Sequence, residues 1–346
     1  MLFLEVLQSR DGFSNIMTMD KYIISIDIGG TGIKMGIFRS DAGESSKDAT
    51  LTKKWAIPTD ISDNGSHIIN DIVTSVNEML TGEGIAKADI LAAGVGVPGA
   101  VTDGVVNKCV SLNWGIVNVK EEFSKRLWGI PVAVGNDANT AALGEMWKGS
   151  GKGVKNLVLL TIGTDIGGGV IIDGKPVAGA FGGGGEIGHI PFDTDEAVPH
   201  PCGKCGCFGQ YASGTGLALL ARRSLTANKR ESTLRDKSLS EITAKDVIDR
   251  ARNGDELALE IFKDYGRRFG RGLAMVSCVL EPELFILGGG VSQAGDFLLD
   301  VIRDSFKDYA FHTAIPTRII TASLKSDAGI YGAAYMALEL MENQII

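Results

Sequence analysis

A strand that stays apolar on both faces, stops at a cluster of glycines and returns as a second strand constrains this chain more than any other feature, and it occurs twice. From Tyr22 to Ile28 the run is almost continuously β-branched, the pattern of a strand covered on both sides. After Gly29-Gly30-Thr31-Gly32 it resumes from Ile33 to Phe38. Beyond Glu145 the pattern restarts as Asn156 to Ile162, a glycine turn with Gly163 and Thr164, and a strand from Gly169 to Ile172. Two such units predict two related domains facing each other across a cleft. Helix-period stretches at Gly65 to Leu80 and Val119 to Leu127 alternate with strand-like Ile90 to Val97 and Val132 to Val134, which means α/β. Further helices are expected over Gly214 to Ser224, Ser240 to Ala251 and Leu257 to Val279. The polar stretch Thr226 to Ser238 reads as a solvated connection.

The chain has 346 residues, 44% of them apolar and 22% charged, enough for two domains with proper cores. A net charge of −8 without a Lys/Arg cluster argues against a nucleic-acid partner. No run reaches membrane-spanning length, so no membrane partner is expected. Residues 1–20 lack the basic start and long apolar core of a signal peptide and read as a tail, with Met17 or Met19 as alternative starts. A cytoplasmic location is expected. Three of the five cysteines fall within Cys202 to Cys207, which suits a reduced compartment and a metal site better than a disulfide framework.

Asp137, in Gly135-Asn136-Asp137-Ala138-Asn139, follows the strand Val132 to Val134 and precedes a helix-like run. It is either a turn residue or a carboxylate placed to take a proton. Asp27-Ile28-Gly29-Gly30-Thr31-Gly32-Ile33-Lys34 puts another carboxylate at a strand end. The glycines there either close a tight hairpin or let backbone amides approach phosphate oxygens. A Walker loop is excluded, because the Gly-Lys-Ser/Thr ending and the following helix are absent. Gly163 and Thr164 repeat this context. Gly288-Gly289-Gly290, after the strand Leu284 to Leu287, either accommodates an adenine or ribose or serves close helix packing.

Three strand-end glycine loops resemble the sugar kinase, actin and Hsp70 ATPase superfamily. Glu186-Ile187-Gly188-His189, the Cys/Gly cluster and Tyr211-Ala212-Ser213 narrow the resemblance to the ROK family, whose members include bacterial glucokinases. The remaining family stretches follow in order: Gly96-Val97-Pro98-Gly99, Leu112-Asn113-Trp114, Asn136 to Asn139, Ala142-Leu143-Gly144-Glu145 and Asp327 to Ala334. The resemblance implies a two-domain, actin-like (ribonuclease H-like) kinase fold with a central cleft. A small domain (21–135, joined by a C-terminal helix 327–346) would then face a large one (136–326). It also implies ATP-dependent phosphorylation of a hexose, glucose first. Mannose, fructose or an N-acetylhexosamine are alternatives, as are a non-catalytic sugar-sensing regulator and another phosphoryl donor such as polyphosphate.

Carried over by position, Asp137 would be the general base. Gly99, Asn113, Asn136, Glu186 and His189 would contact the sugar, with Pro98 and Trp114 either apolar walls or core. Asp27, Gly29, Gly30, Thr31, Lys34, Gly163, Thr164, Gly288, Gly289 and Gly290 would serve ATP and its Mg²⁺. An ordinary aspartate pKa near ~4 would leave Asp137 a weak, ionised base at neutral pH. A homodimer or homotetramer is the family habit.

Three departures stand out. The family's Cys-x-Cys-Gly-x-x-Gly-Cys is here His200-Pro201-Cys202-Gly203-Lys204-Cys205-Gly206-Cys207, so a Zn²⁺ site would use His189, His200, Cys202 and Cys207. Cys205 is the alternative ligand, or pairs with Cys202 for redox work. A glutamate usual two residues after the last cysteine is Gly209, leaving a sugar contact missing or supplied by Gln210. Asp165 replaces a usual glycine in the second phosphate turn, where its charge would repel ATP unless it points away or meets Mg²⁺.

Overall fold

A computed structural model describes residues 20–40 and 48–345. The expected tail therefore lies outside the described residues, apart from Asp20. The chain opens with β1 (Lys21–Ile28), β2 (Gly32–Ser40) and β3 (Ala49–Pro58), followed by α1 (Ile68–Gly82) and β4 (Ile90–Val97). Ile23, Ile24, Ile26 and Ile28 are fully buried, as a two-sided apolar run requires. Short strands β5 (Val101–Thr102), β6 (Val105–Val106) and β7 (Val117–Asn118) form a small sheet of their own, and α2 (Val119–Arg126) leads to β8 (Val132–Asn136). The first large sheet has the order β3-β2-β1-β4-β8, antiparallel through β3, β2 and β1 and parallel from β1 through β4 to β8.

After α3 (Asp137–Lys148) the plan repeats with β9 (Leu157–Ile162), β10 (Ile166–Ile172) and β11 (Lys175–Pro176). A short α4 (Gly209–Ala212), then α5 (Gly214–Ala227), α6 (Ala244–Arg252) and α7 (Glu256–Leu280) precede β12 (Leu284–Gly288). The chain closes with α8 (Asp296–Tyr309), β13 (Arg318–Thr321) and α9 (Ala328–Ile345). The second sheet runs β11-β10-β9-β12-β13, again antiparallel on one side of its first long strand and parallel on the other. The internal echo in the sequence is thus a shared strand order.

Each sheet carries its own core. Ile24, Ile26, Met35, Val95, Ile72 and Phe123 join the first sheet to α1 and α2. Phe208, Phe262, Tyr265, Phe269 and Phe306 fill the second. Between the sheets, α3 lies against β9 and β10 while α9 lies against β1, β4 and β8, and the two helices pack on each other. Their backbones nearly touch: a Cβ on Gly332 of α9 would stand 1.6 Å from the Thr140 carbonyl of α3.

The stretch Thr226 to Ser238 is exposed but not loose. Leu234 is fully buried in the second core, and Asp255 accepts hydrogen bonds from Ser232 Oγ at 2.9 Å and Thr233 Oγ1 at 2.7 Å. Polarity predicts exposure there and misses these anchors. Among the described residues no helix is long and apolar enough to cross a membrane.

Candidate active site

Strand β8 hands over to α3 at Asn136, whose extended backbone and side chain make it the helix cap. Its Oδ1 accepts from Ala138 N at 3.0 Å and Asn139 N at 3.1 Å. Its Nδ2 donates to the Gly99 carbonyl at 3.1 Å. The amide predicted to meet sugar is therefore first a structural link that fixes Gly99 and aims the next residue. That residue, Asp137, begins the helix, and its Oδ1 accepts from Ala138 N at 2.8 Å. Burial pushes its carboxyl above the ordinary aspartate value, the Ala138 hydrogen bond opposes the shift, and the Glu186 carboxylate adds to it. A carboxylate raised in this way binds a proton more strongly than an ordinary aspartate does.

Asp137, Asp27, Lys34 and Gly288-Gly289-Gly290 line one cavity of ≈ 930 Å³, closed on one side by Ala328 and Gly329 at the start of α9. Asp27 pairs in register with Lys34 across the first hairpin. Burial raises the Asp27 carboxyl to about 6, with Lys34 opposing and Asp137 reinforcing. Gly163 and Thr164 line an adjoining cavity of ≈ 680 Å³ that shares Gly290 and Gln293 with the first. Arg222, Lys245 and Arg252 also border it, from α5 and α6. Sequence reading missed these three basic residues. The signal for them is only that basic residues recur on two helices beside a glycine turn.

Gly29, Gly30 and Thr31 are not among the residues lining either cavity. They form the β1–β2 turn, held by Gly29 N donating to Gly32 O at 3.1 Å and by Thr59 Oγ1 donating to Gly29 O at 2.6 Å. Asn113, in a left-handed conformation, donates from Nδ2 to Ile61 O at 3.1 Å. Trp114 is buried, with its indole N–H on Gly65 O at 2.9 Å.

Glu186 and His189 stand together, 3.6 Å between Oε2 and Nε2. His189 also belongs to a second cluster: its ligand atom and those of His200, Cys202 and Cys207 all lie within 4.8 Å of one another. Cys202 Sγ and Cys207 Sγ are 3.6 Å apart. Two soft thiols and two imidazoles at this spacing fit a tetrahedral Zn²⁺. Cys205 turns elsewhere, its thiol 3.9 Å from the Ala197 carbonyl. Gln210 is buried with both amide ends engaged, by Cys207 N at 3.0 Å and Val198 O at 2.8 Å, so it holds the cysteine loop. Asp165 points away from the phosphate turn, its Oδ2 2.9 Å from His200 Nε2.

The model of the ROK family matches residues 23–340. The chain is 37% identical to a glucokinase of Halalkalibacterium halodurans over 92% of its own length and 95% of that protein's. To a glucokinase of Streptomyces coelicolor it is 34% identical, over 91% and 97%. Among solved structures, a ROK family glucokinase from Streptomyces griseus in complex with glucose and AMPPNP superposes with a TM-score of 0.70 at 33% identity, covering 92% of this chain and 99% of that one.

Proposed function

Since this chain belongs to the ROK family, with the actin-like ATPase fold of its sugar kinases, we propose that it transfers the γ-phosphoryl group of ATP to the 6-hydroxyl of glucose. The observation that carries this reading is the shared cavity: a half-buried carboxylate at a helix start, Asp137, opens onto the same space as Asp27 and the Gly288–Gly290 turn. A hydroxyl attacking phosphorus must give up its proton, and phosphoryl transfer otherwise depends on positioning and charge neutralisation. Asp137 orients the hydroxyl and accepts that proton. Glu186 and His189 accept and donate to neighbouring hydroxyls, while Asn136 keeps Gly99 and Asp137 in place. Gly163, Thr164 and Gly288 to Gly290 receive the nucleotide, with Arg222, Lys245 and Arg252 bordering the far end of its cavity.

Asp27 would hold Mg²⁺ through water, and Lys34 limits the repulsion between Asp27 and Asp137. When bound, the ion offsets the phosphate charge. His189, His200, Cys202 and Cys207 would hold Zn²⁺ as a closed structural site that orients His189. We take residues 21–135 with 327–346 as one domain and 136–326 as the other. We place the enzyme in the cytoplasm, at the entry of glucose into glycolysis, as a homodimer or homotetramer.

A coupled assay with ATP and a panel of glucose, mannose, fructose and N-acetylhexosamines tests the reading. Glucose is expected to give the highest kcat/KM. Sugar binding by calorimetry without turnover on any of them would convert the assignment to a sugar-sensing regulator. Asp137→Ala is expected to lower kcat by at least about 100-fold, the scale of positioned base catalysis, with glucose still bound. Undiminished turnover would remove Asp137 from the base role.

A further inference from the structure

Asp165 sits in the turn between β9 and β10, next to Gly163 and Thr164, which line the nucleotide cavity, yet it lines neither cavity itself. Its orientation is fixed from three sides. Oδ1 accepts from its neighbour Ile166 N at 2.8 Å, its backbone carbonyl accepts from Gly163 N at 3.0 Å, and Oδ2 meets the Nε2 of buried His200 at 2.9 Å. The space it occupies exists because residue 209 lacks a side chain: a Cβ there would stand 2.0 Å from Asp165 Oδ1. A second tie closes the loop, since Gly214 N at the start of α5 donates to the Gly163 carbonyl at 2.8 Å. The phosphate turn is thus gripped on both sides by the segment that carries the Cys/His cluster.

A carboxylate that accepts from the free ring N–H of a metal-bound histidine fixes the ring's tautomer and raises its affinity for the metal. Here that carboxylate belongs to the nucleotide turn. We propose that Asp165 is a positioning residue that couples the His189–His200–Cys202–Cys207 metal site to the nucleotide site, so that metal and nucleotide each strengthen the binding of the other. The inference rests on the ATP and Zn²⁺ assignments above. By linkage the coupling is reciprocal: a nucleotide that orders the turn holds Asp165 on His200, and a metal that orders His200 holds the turn. The two departures at positions 165 and 209 then form a single device, because the carboxylate needs the glycine.

The test uses the full-length protein as purified. Zinc content and AMPPNP affinity are measured first; a protein that holds no zinc or binds no AMPPNP overturns this inference together with the assignment it rests on. Zinc release to a chromogenic chelator is then followed with and without AMPPNP, in the parent and in Asp165→Ala, Asp165→Asn and Gly209→Ala. In the parent, AMPPNP is expected to slow release several-fold. Asp165→Ala should release zinc about 10-fold faster or more and lose the nucleotide effect. Asp165→Asn keeps an acceptor for the His200 N–H and should retain part of both. Gly209→Ala leaves the carboxylate in the chain but forces it off His200, and should behave like Asp165→Ala. Folding of each variant is checked by near-ultraviolet circular dichroism. Nucleotide protection equal in folded Asp165→Ala or Gly209→Ala and in the parent, or no protection in a zinc-loaded, AMPPNP-binding parent, overturns the coupling.

Discussion

At the scale of single residues, two carboxylates share one cavity and are tuned in the same direction. Burial raises the Asp27 carboxyl to about 6. A carboxyl raised above its unfolded value of about 4 gives stability that is full below that pH and is lost as pH rises through about 6. In protein without nucleotide or Mg²⁺, Asp27→Asn is therefore expected to raise the unfolding free energy at neutral pH. The gain is on the order of 3 kcal/mol, since the carboxyl is raised from about 4 to about 6 and each tenfold change in proton affinity corresponds to about 1.4 kcal/mol, and it fades toward pH ~4. Activity should fall in the same variant, because an amide cannot supply the charge proposed to hold Mg²⁺. Urea midpoints across this pH range check the sign; a gain that grows on acidification would show that Asp27 is not raised.

At the scale of elements, the segment from 190 to 212 shows how a loop without a long helix or strand is held. Glu196 is nearly buried and accepts from Arg223 Nη1 at 2.8 Å and Nη2 at 3.0 Å, from Tyr211 Oη at 2.8 Å and from Val198 N at 2.9 Å. The Arg223 hydrogen bonds, with help from Val198 and Tyr211, hold its carboxyl down at about 2 despite burial. A depressed carboxyl stabilises above its unfolded value near ~4, and that stability is lost as pH falls through about 2. Glu196→Gln is expected to cost about 1.5–3 kcal/mol at pH ~7, the scale of hydrogen bonds to a charged group. The difference from the parent should shrink progressively in acid, and denaturation midpoints over that range measure it. A constant difference would show that charge is not what holds the segment.

Elements differ in how far the residues alone disclose them. Strands β1, β4, β9 and β12 are legible because they are buried on both faces and read as unbroken apolar runs. Strand β3 alternates inward Ala49, Leu51, Trp55 and Ile57 with exposed neighbours, but Lys53 on the inward face and Ala56 on the outer one interrupt the period. Strand β13 has only four residues, too short for a period to show. Asp137 at a strand-to-helix junction, the glycine turns and the Cys/His cluster were legible as positions because each is local in sequence. The bond between Asp165 and His200 was not: it joins residues far apart in the chain, and only folding shows that the acid beside the phosphate turn faces a histidine. Gln210, one of the two expectations for the sugar contact at this place, has both amide ends engaged within the loop, by Cys207 and Val198.

At the scale of the whole molecule, α3 and α9 join the two sheets through a close backbone contact. Gly332 meets backbone, the Thr140 carbonyl, so an added methyl group has no rotamer to escape into. Gly332→Ala is expected to destabilise by about 2 kcal/mol or more and to reduce the contraction on glucose binding seen by small-angle scattering. An unchanged melting temperature and contraction would show that the contact gives way freely. The shared strand order of the two sheets bears on descent. The frame repeats while the insertions differ: after β4 come the small sheet and α2, and after β11 the metal-bearing segment and α4 to α7. Selection can remodel one insertion, and with it the ligand taken on that side, while the opposite half keeps its geometry.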